Sequence, residues 1–388
     1  MRILHTIHSV NPVGGGVIEA IKQVAHVHAA TGHESEIISL DAPGDPWVRE
    51  CPVKVHALGP GCTSYGYTLA FVPWLKARRH DYDAVIVNGL WQYNGFGTWR
   101  ALHGTDTPYF VFPHGMLDPW FKRAYPRKHL KKWLVWPWAD YRLLRDARAV
   151  LFTCDEERRT ARESFWLYRC REKVVNYGIA APTGAADAQM QAALHRFPEL
   201  REKRVLLFLG RIHKKKGCDL LVKAFAKILA TPDLNLRLVF AGPDQTGWAS
   251  ELHALADHLQ IASQIHWAGM ISGDIKWGML RLAEAFVLPS HQENFGIAVA
   301  EALACGTPVL ISNKVNIWRE IEEDQAGFVE DDDEPGTTRM LERWFALGAE
   351  EKNKMRRNAW QSFRSRFEVT RTATALIDVI ASEANRPS

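Results

Sequence analysis

"AFVLPSHQENFGIAVAEALACGTPVL" occupies residues 285–310. "AFVLP" is an unbroken apolar run, as expected of a strand buried on both faces. "SHQENF" (290–295) reads as a loop. A small-residue helix is expected from Gly296 to Gly306, where Gly306 and Thr307-Pro308 stop it, and "VLIS" (309–312) opens the next strand. Strand, loop, helix, strand is the repeat of a parallel α/β sheet. Glu293 then sits in the loop at the ligand side of the sheet, and Glu301 on the second turn of the helix. The amides of Asn294, Phe295, Gly296 and Ile297 are expected to form the positive end of that helix. Carboxylates accept hydrogen bonds from vicinal hydroxyls, and helix-start amides hold phosphate. The stretch therefore suits a ligand carrying both. The plainer reading is an exposed glutamate pair on an ordinary helix, a spacing that chance supplies often.

Working outward, the same alternation fills the chain. In the first half, strands are expected at 2–7, 35–40, 83–89 and 108–115, with a helix at 17–31 closed by Gly32. A strand runs into a helix over 149–165, with Thr153 and Glu156 spaced as a capping box. The pattern restarts with strands at 204–210, 236–242 and 264–269 and a helix at 217–230. Two such series predict an α/β chain of two doubly wound, Rossmann-like parallel-sheet domains, 1–180 and 200–365, facing a central cleft. The Ala-, Pro- and Gly-rich stretch 179–200 reads as the linker.

Composition narrows the function. With 388 residues, 47% hydrophobic and 24% charged, the chain is globular and long enough for two or three domains. A net charge of +4 and the absence of zinc-finger, RNA-recognition or basic-zipper signatures exclude a dedicated nucleic-acid binder. The six cysteines are scattered without a C-x-x-C pair, which predicts a reduced, intracellular protein without a zinc site. "MRILHTIHSV" lacks the apolar core of a signal peptide, and no apolar run reaches the roughly 18 residues of a membrane span. The expectation is a cytoplasmic protein.

Three further constellations could carry chemistry. In "GRIHKKKG" (210–217), Arg211, Lys214, Lys215 and Lys216 lie between a strand end and a helix start, which makes an anion site; a solvated basic turn is the alternative. The order of a P-loop is absent. In "NPVGGGVIEA" (11–20), three glycines let the backbone approach a ligand. A dinucleotide fold is the rival there, since Asp41 follows the second strand, but Glu19 stands where the third glycine belongs. In "FPHG" (112–115), His114 ends an apolar strand, as a packed polar residue or as a group acting on a ligand.

Together these stretches resemble the family 4 retaining glycosyltransferases of GT-B fold, also called glycosyl transferases group 1. The resemblance covers nearly the whole chain and is strongest for "GRIHKKKG", "FAGP", "HQENFGIAVAEALACGTPVL" and "AGFVE", with "PHGMLDPW" and "GGG" in the first half. It implies sugar transfer from a nucleotide diphosphate sugar, such as a UDP- or GDP-sugar, to an acceptor hydroxyl with retention at the anomeric carbon. It also implies roles for single residues. Arg211 and Lys216 would hold the diphosphate, Glu301 the ribose, and Glu293 the transferred sugar with the amides of Asn294, Phe295 and Gly296. Gly15 and Gly16 would pass close to the phosphates, and His114 would face the sugar. Gly242 and Met270 would border the base. A C-terminal helix, 366–388, would return to the first domain, although its "SRFEVTRTATALI" departs from the usual aromatic-rich turn.

No Asp-x-Asp motif is placed for Mg²⁺ or Mn²⁺, so catalysis without metal and without a cofactor is expected, using cations and helix amides for the leaving phosphate. The acceptor is expected to be a saccharide or lipid-linked molecule in polysaccharide, lipopolysaccharide or glycolipid assembly. A GT-B-shaped epimerase, a phosphorylase and a noncatalytic nucleotide-sugar binder are the alternatives. Segment 119–148 has nine Lys/Arg against two acids, with Trp120, Trp133, Trp136 and Trp138. It reads either as a peripheral contact with anionic lipid at the inner membrane face or as a solvated helix pair with tryptophans in the core.

Overall fold

The computed structural model describes residues 1–229 and 235–384. Residue 230, the expected end of the 217–230 helix, and 385–388, the end of the expected last helix, lie outside the described residues. The chain divides into two compact units. The first is Met1–Ala180 together with the chain from Val369 onward, and the second is Ala181–Glu368.

The first unit is built on strands β1 (Arg2–Thr6), β2 (Glu34–Ser39), β3 (Val55–Ala57), β4 (Ala84–Asn88), β5 (Tyr109–Phe112), β6 (Ala149–Phe152) and β7 (Glu172–Val174). They form one parallel sheet in the order β3-β2-β1-β4-β5-β6-β7. The three-residue edge strands β3 and β7 have no apolar run and give no signal in the sequence. Alternate residues of the inner strands feed opposite faces. Leu4, Val85, Val87, Val111 and Val150 pack on one side with Phe71 and Trp136. Ile3, Ile86, Phe110 and Leu151 pack on the other with Val369, Ala373, Leu376 and Ile380. Those last four belong to the helix Val369–Ala384, whose apolar residues recur every three or four positions. The Val369 N–H donates to Ile179 O at 2.9 Å, and Thr372 Oγ1 donates to Asn176 O at 2.8 Å. Ahead of this helix "FRSRF" forms a π-turn, Phe363–Phe367, with both phenylalanines buried.

One cap differs from expectation. The helix Asp155–Ala161 has Cys154 as its N-cap, and Glu157, not Glu156, reaches back. The Glu157 carboxylate accepts from Thr153 N at 2.7 Å, from Thr153 Oγ1 at 2.6 Å and from Gly115 N at 2.5 Å. The helix starts late enough to aim Glu157 inward, where it ties this turn to the one after β5.

The second unit contains β8 (Arg204–Leu209), β9 (Leu236–Ala241), β10 (Ile265–Gly269), β11 (Ala285–Leu288), β12 (Val309–Ser312) and β13 (Gly327–Glu330). They form a parallel sheet in the order β10-β9-β8-β11-β12-β13. The 179–200 stretch is not a plain linker. It carries the helix Ala186–Arg196, which packs on the helix Gly273–Leu282. A Cβ on Gly278 would meet Gln189 O at 1.9 Å, and Arg281 Nε donates to Gln189 Oε1 at 3.0 Å. The alanines that read as linker are good helix formers, small enough for this approach. Each sheet reverses its strand order once, at β1/β4 and at β8/β11. Such switch points leave a crevice at the carboxyl ends of the strands.

Candidate functional site

At the β8/β11 switch point two loops lie on each other. His291 N donates to Lys215 O at 2.8 Å, and Ser290 Oγ donates to the same oxygen at 3.1 Å. Gly217, at φ +65°, completes the fit, since a Cβ there would meet Pro289 O at 2.1 Å. Between these contacts Lys214–Lys216 makes a single 3-10 turn, capped by His213 Nδ1, which accepts from Lys215 N at 3.0 Å. The cap presents Lys216 to Glu293, and the ammonium and carboxylate are in direct contact. Burial, then Lys215 and Arg211, push the Lys216 pKa down to about 7, and the touching carboxylate opposes that push. Arg211 is exposed and has no ion pair or side-chain hydrogen bond among the described residues.

Glu293 is held by main chain on both sides. Its N–H donates to Lys314 O at 2.9 Å, and its carbonyl accepts from Asn316 N at 3.0 Å. The helix that follows is Ile297–Ala304, one residue later in starting than expected, because Gly296 takes the left-handed conformation at φ +76° as its N-cap. No side chain caps it, so its first amides keep their donor capacity. Phe295 is buried against Phe367, with ring centroids 5.7 Å apart, and Asn294 Oδ1 accepts from Asn316 Nδ2 at 3.4 Å. Arg211, Lys216, Glu293 and the 294–297 turn are thus brought together. Glu301, farther along the helix, pairs with Lys276 Nζ at 2.6 Å, and that ammonium also lies 4.2 Å from the Trp277 ring. At the ends of β9 and β10, Gly242 N donates to Gly269 O at 2.7 Å, and Met270 beyond it is 79% exposed.

The first unit carries the remaining predicted residues. Gly15 (φ 88°, ψ −148°) turns the chain into the helix Gly16–Ala30, whose start also has no side-chain cap. Nothing lies within 4 Å of a Cβ built on Gly15, so conformation alone demands glycine there. Tyr177 Oη donates to Gly16 O at 3.0 Å, and the Tyr177 ring meets His114 edge-on with centroids 5.9 Å apart. His114 has φ +50° and stacks on Phe112 at 5.3 Å. Burial pushes its pKa down to about 3, so the ring is neutral. Its tautomer follows from its partner. Asn88 Nδ2 donates to Thr6 O at 3.4 Å and to Ile86 O at 3.3 Å, which turns Asn88 Oδ1 toward His114 Nε2 at 3.1 Å. An oxygen can only accept, so Nε2 carries the proton and Nδ1 the lone pair. Asp41 is engaged elsewhere, accepting from Ser9 Oγ at 2.5 Å, Val10 N at 2.8 Å and Trp47 Nε1 at 3.0 Å. It serves to tie loops together, which removes the acidic residue that the dinucleotide reading needs.

With this geometry in place, comparison with known proteins decides the family. A family model described as "Glycosyl transferases group 1" matches residues 191–361, and one described as "Glycosyl transferase 4-like domain" matches 15–178. The chain belongs to the group 1 glycosyltransferases. This glycosyltransferase is 25% identical over 95% of its length to the D-rhamnosyltransferase WbpZ of Pseudomonas aeruginosa, 92% of which is covered. It is 34% identical to a D-inositol 3-phosphate glycosyltransferase of Thermobispora bispora over 45% of its own length and 43% of that protein's. Among solved structures it resembles a sucrose-phosphate synthase of Thermosynechococcus elongatus (TM-score 0.78, 19% identity, 98% of each chain). It also resembles Anabaena HepE in complex with UDP-glucose (TM-score 0.75, 16% identity, 98% of this chain and 100% of that one). The fold of the two sheets is GT-B.

Sequence reasoning missed Lys276, Asn88 and Tyr177. Lys276 lies 25 residues from Glu301, and only the packing of two helices joins them. Asn88 could have been found, because a polar residue ending the apolar run "AVIVN" is unusual for a strand buried on both faces.

Proposed function

We propose that the glycosyltransferase takes its sugar from a nucleoside diphosphate sugar bound in the second unit and passes it, with retention, to an acceptor hydroxyl. The observation that carries this reading is the grouping of Arg211, Lys216 and the start of the Ile297–Ala304 helix, which no side chain caps, around Glu293. Cations and amides directed at one point suit a pyrophosphate, while carboxylates beside them suit sugar and ribose hydroxyls. Glu293 and Glu301 are each paired with a lysine. A bound diphosphate would draw Lys216 toward itself and release Glu293 for the sugar, and Glu301 would exchange Lys276 for the ribose. Gly242 and Met270 would flank the base. Gly15, Gly16 and His114 are proposed to act on the same donor, His114 as a neutral group at the sugar.

As the bond from the anomeric carbon to the β-phosphate oxygen breaks, negative charge grows on that oxygen. Arg211, Lys216 and the helix amides oppose it, the work a metal ion would otherwise do. The acceptor oxygen attacks from the same face, and its proton passes to the departing phosphate. We propose that neither metal nor cofactor is required. The HepE complexes make UDP-sugars the first donors to test, and the similarity to WbpZ adds D-rhamnosyl donors. A saccharide or lipid-linked acceptor fits the likeness to WaaG, a glycosyltransferase involved in lipopolysaccharide biosynthesis.

Purified protein should show donor-dependent thermal stabilisation, and transfer or slow hydrolysis of that donor in excess EDTA. A panel of nucleotide sugars without any stabilisation would sink the proposal. Binding without turnover would leave a nucleotide-sugar binder, and conversion of the free donor to its epimer would make the protein an epimerase.

A further inference from the structure

The segment 119–148 divides its aromatics between inside and outside in an unusual way. On the helix Pro126–Val135, His129, Lys132 and Trp133 turn inward. His129 stacks on Phe165 at 4.8 Å, Lys132 Nζ sits 4.2 Å from the Trp91 ring, and Trp133 packs on Phe165. Trp136, just beyond the helix, is fully buried, with Nε1 donating to Leu167 O at 2.7 Å. The core reading therefore holds for Trp136. The outward face is the aliphatic one: Leu130 is 66% exposed, Leu134 73% and Val135 48%. At 100° per residue, Arg127 and Lys131 fall on the same arc as these three. Trp138 (66% exposed) and Trp166 (75%) add two large exposed rings, the latter stacked on Trp133. From 119 to 139 there is no acidic residue and six Lys/Arg.

We propose that this outward face docks the glycosyltransferase on an anionic lipid bilayer. Leu130, Leu134 and Trp138 would enter the acyl boundary while Arg127, Lys128 and Lys131 meet lipid phosphates. An uninterrupted run of cations calls for an anionic partner. Nucleic acid has no use for leucines set between those cations, whereas a bilayer takes aliphatic groups and cations on one surface. None of the described helices is long and apolar enough to cross a membrane, so the contact is peripheral. The inference goes beyond the donor chemistry and does not depend on it.

The test is sedimentation of the full chain with vesicles of phosphatidylcholine alone and of phosphatidylcholine with 30 mol% phosphatidylglycerol, at low and high salt. Binding is expected only to the anionic vesicles and should weaken with salt. The double variant L130S/L134S should bind about tenfold or more weakly, and K128S/K131S about tenfold or more weakly at low salt, by roughly fivefold for each cation. Far-UV circular dichroism and the melting temperature of both variants should match the parent, since all four side chains are solvated. Equal binding to neutral vesicles, no binding of the parent, or undiminished binding of the leucine variant would each overturn the proposal. So would a dimer in sedimentation equilibrium that L130S/L134S converts to monomer, because the face would then serve a second copy of the chain.

Discussion

The two units share a plan and differ in what stands at the carboxyl ends of their strands. At the β8/β11 switch point the side chains are charged: Lys216 on Glu293, Lys276 on Glu301, and Arg211 open to solvent. At the β1/β4 switch point they are neutral. Asn88 fixes His114, whose ring is lined by Phe112 and Tyr177, beside a bare glycine turn. The contrast teaches that one topology supports either kind of site, and that the residues in the loops decide which. A site full of charge suits a diphosphate, whereas a neutral site with one oriented imidazole suits the uncharged sugar.

The sharpest way to break this comparison is Glu293→Ala. If the charged site performs the chemistry, kcat/KM for the donor should fall about 10³-fold while the melting temperature hardly moves. A near-normal rate would remove Glu293 from the mechanism.

Glycine substitutions test whether the two sites are built alike. A Cβ on Gly242 would meet Gly210 O at 1.9 Å with φ at +141°, whereas the space around Gly15 is open. Gly242→Ala should cost about 3 kcal/mol or more in denaturant titration, through both collision and conformation. Gly15→Ala carries only the conformational cost, about 1–2 kcal/mol. Equal losses would show that the Gly15 turn is packed as tightly as the strands of the second unit.

Asn88→Asp asks whether the neutral site must stay neutral. A carboxylate against Nε2 would raise the His114 pKa from about 3 toward the neutral range. Turnover should drop about tenfold and acquire an acid limb, falling as pH decreases from 7 to 5, where the parent stays flat. A pH profile identical to the parent's would mean that the Asn88–His114 contact is only structural.

The last comparison concerns stability and pH. Burial holds His5 and His114 near a pKa of about 3, against 6.5 in the unfolded chain. Below 6.5 the unfolded chain takes up protons that the fold refuses. Stability is therefore complete above 6.5 and declines toward pH 3, by about 1.4 kcal/mol per unit for each buried histidine at most. Asp140, raised to about 6 by burial, works the other way below that pH. Melting should fall between pH 6.5 and 4.5, and His114→Phe should flatten the slope.

Much of this molecule was legible as written. β4, β8, β9 and β11 are largely apolar runs closed by turn residues, as strands buried on both faces tend to be because a polar side chain there costs free energy unless it finds a partner, as Asn88 does. The glycines at 15, 217, 242 and 296 marked backbone that no other residue adopts or fits, and each lies where the loops carry the proposed site. The helix Ala186–Arg196, the choice of Glu157 over Glu156, and the outward turn of Leu130 and Leu134 were not legible. Local spacing states which residues share a face of a helix, and tertiary packing alone decides which face the rest of the protein covers. The same limit separates Glu301 from Lys276 and Asn88 from His114. Residue types and loop positions came from the chain, but a pair far apart in sequence meets only after two elements have found their places in the sheet.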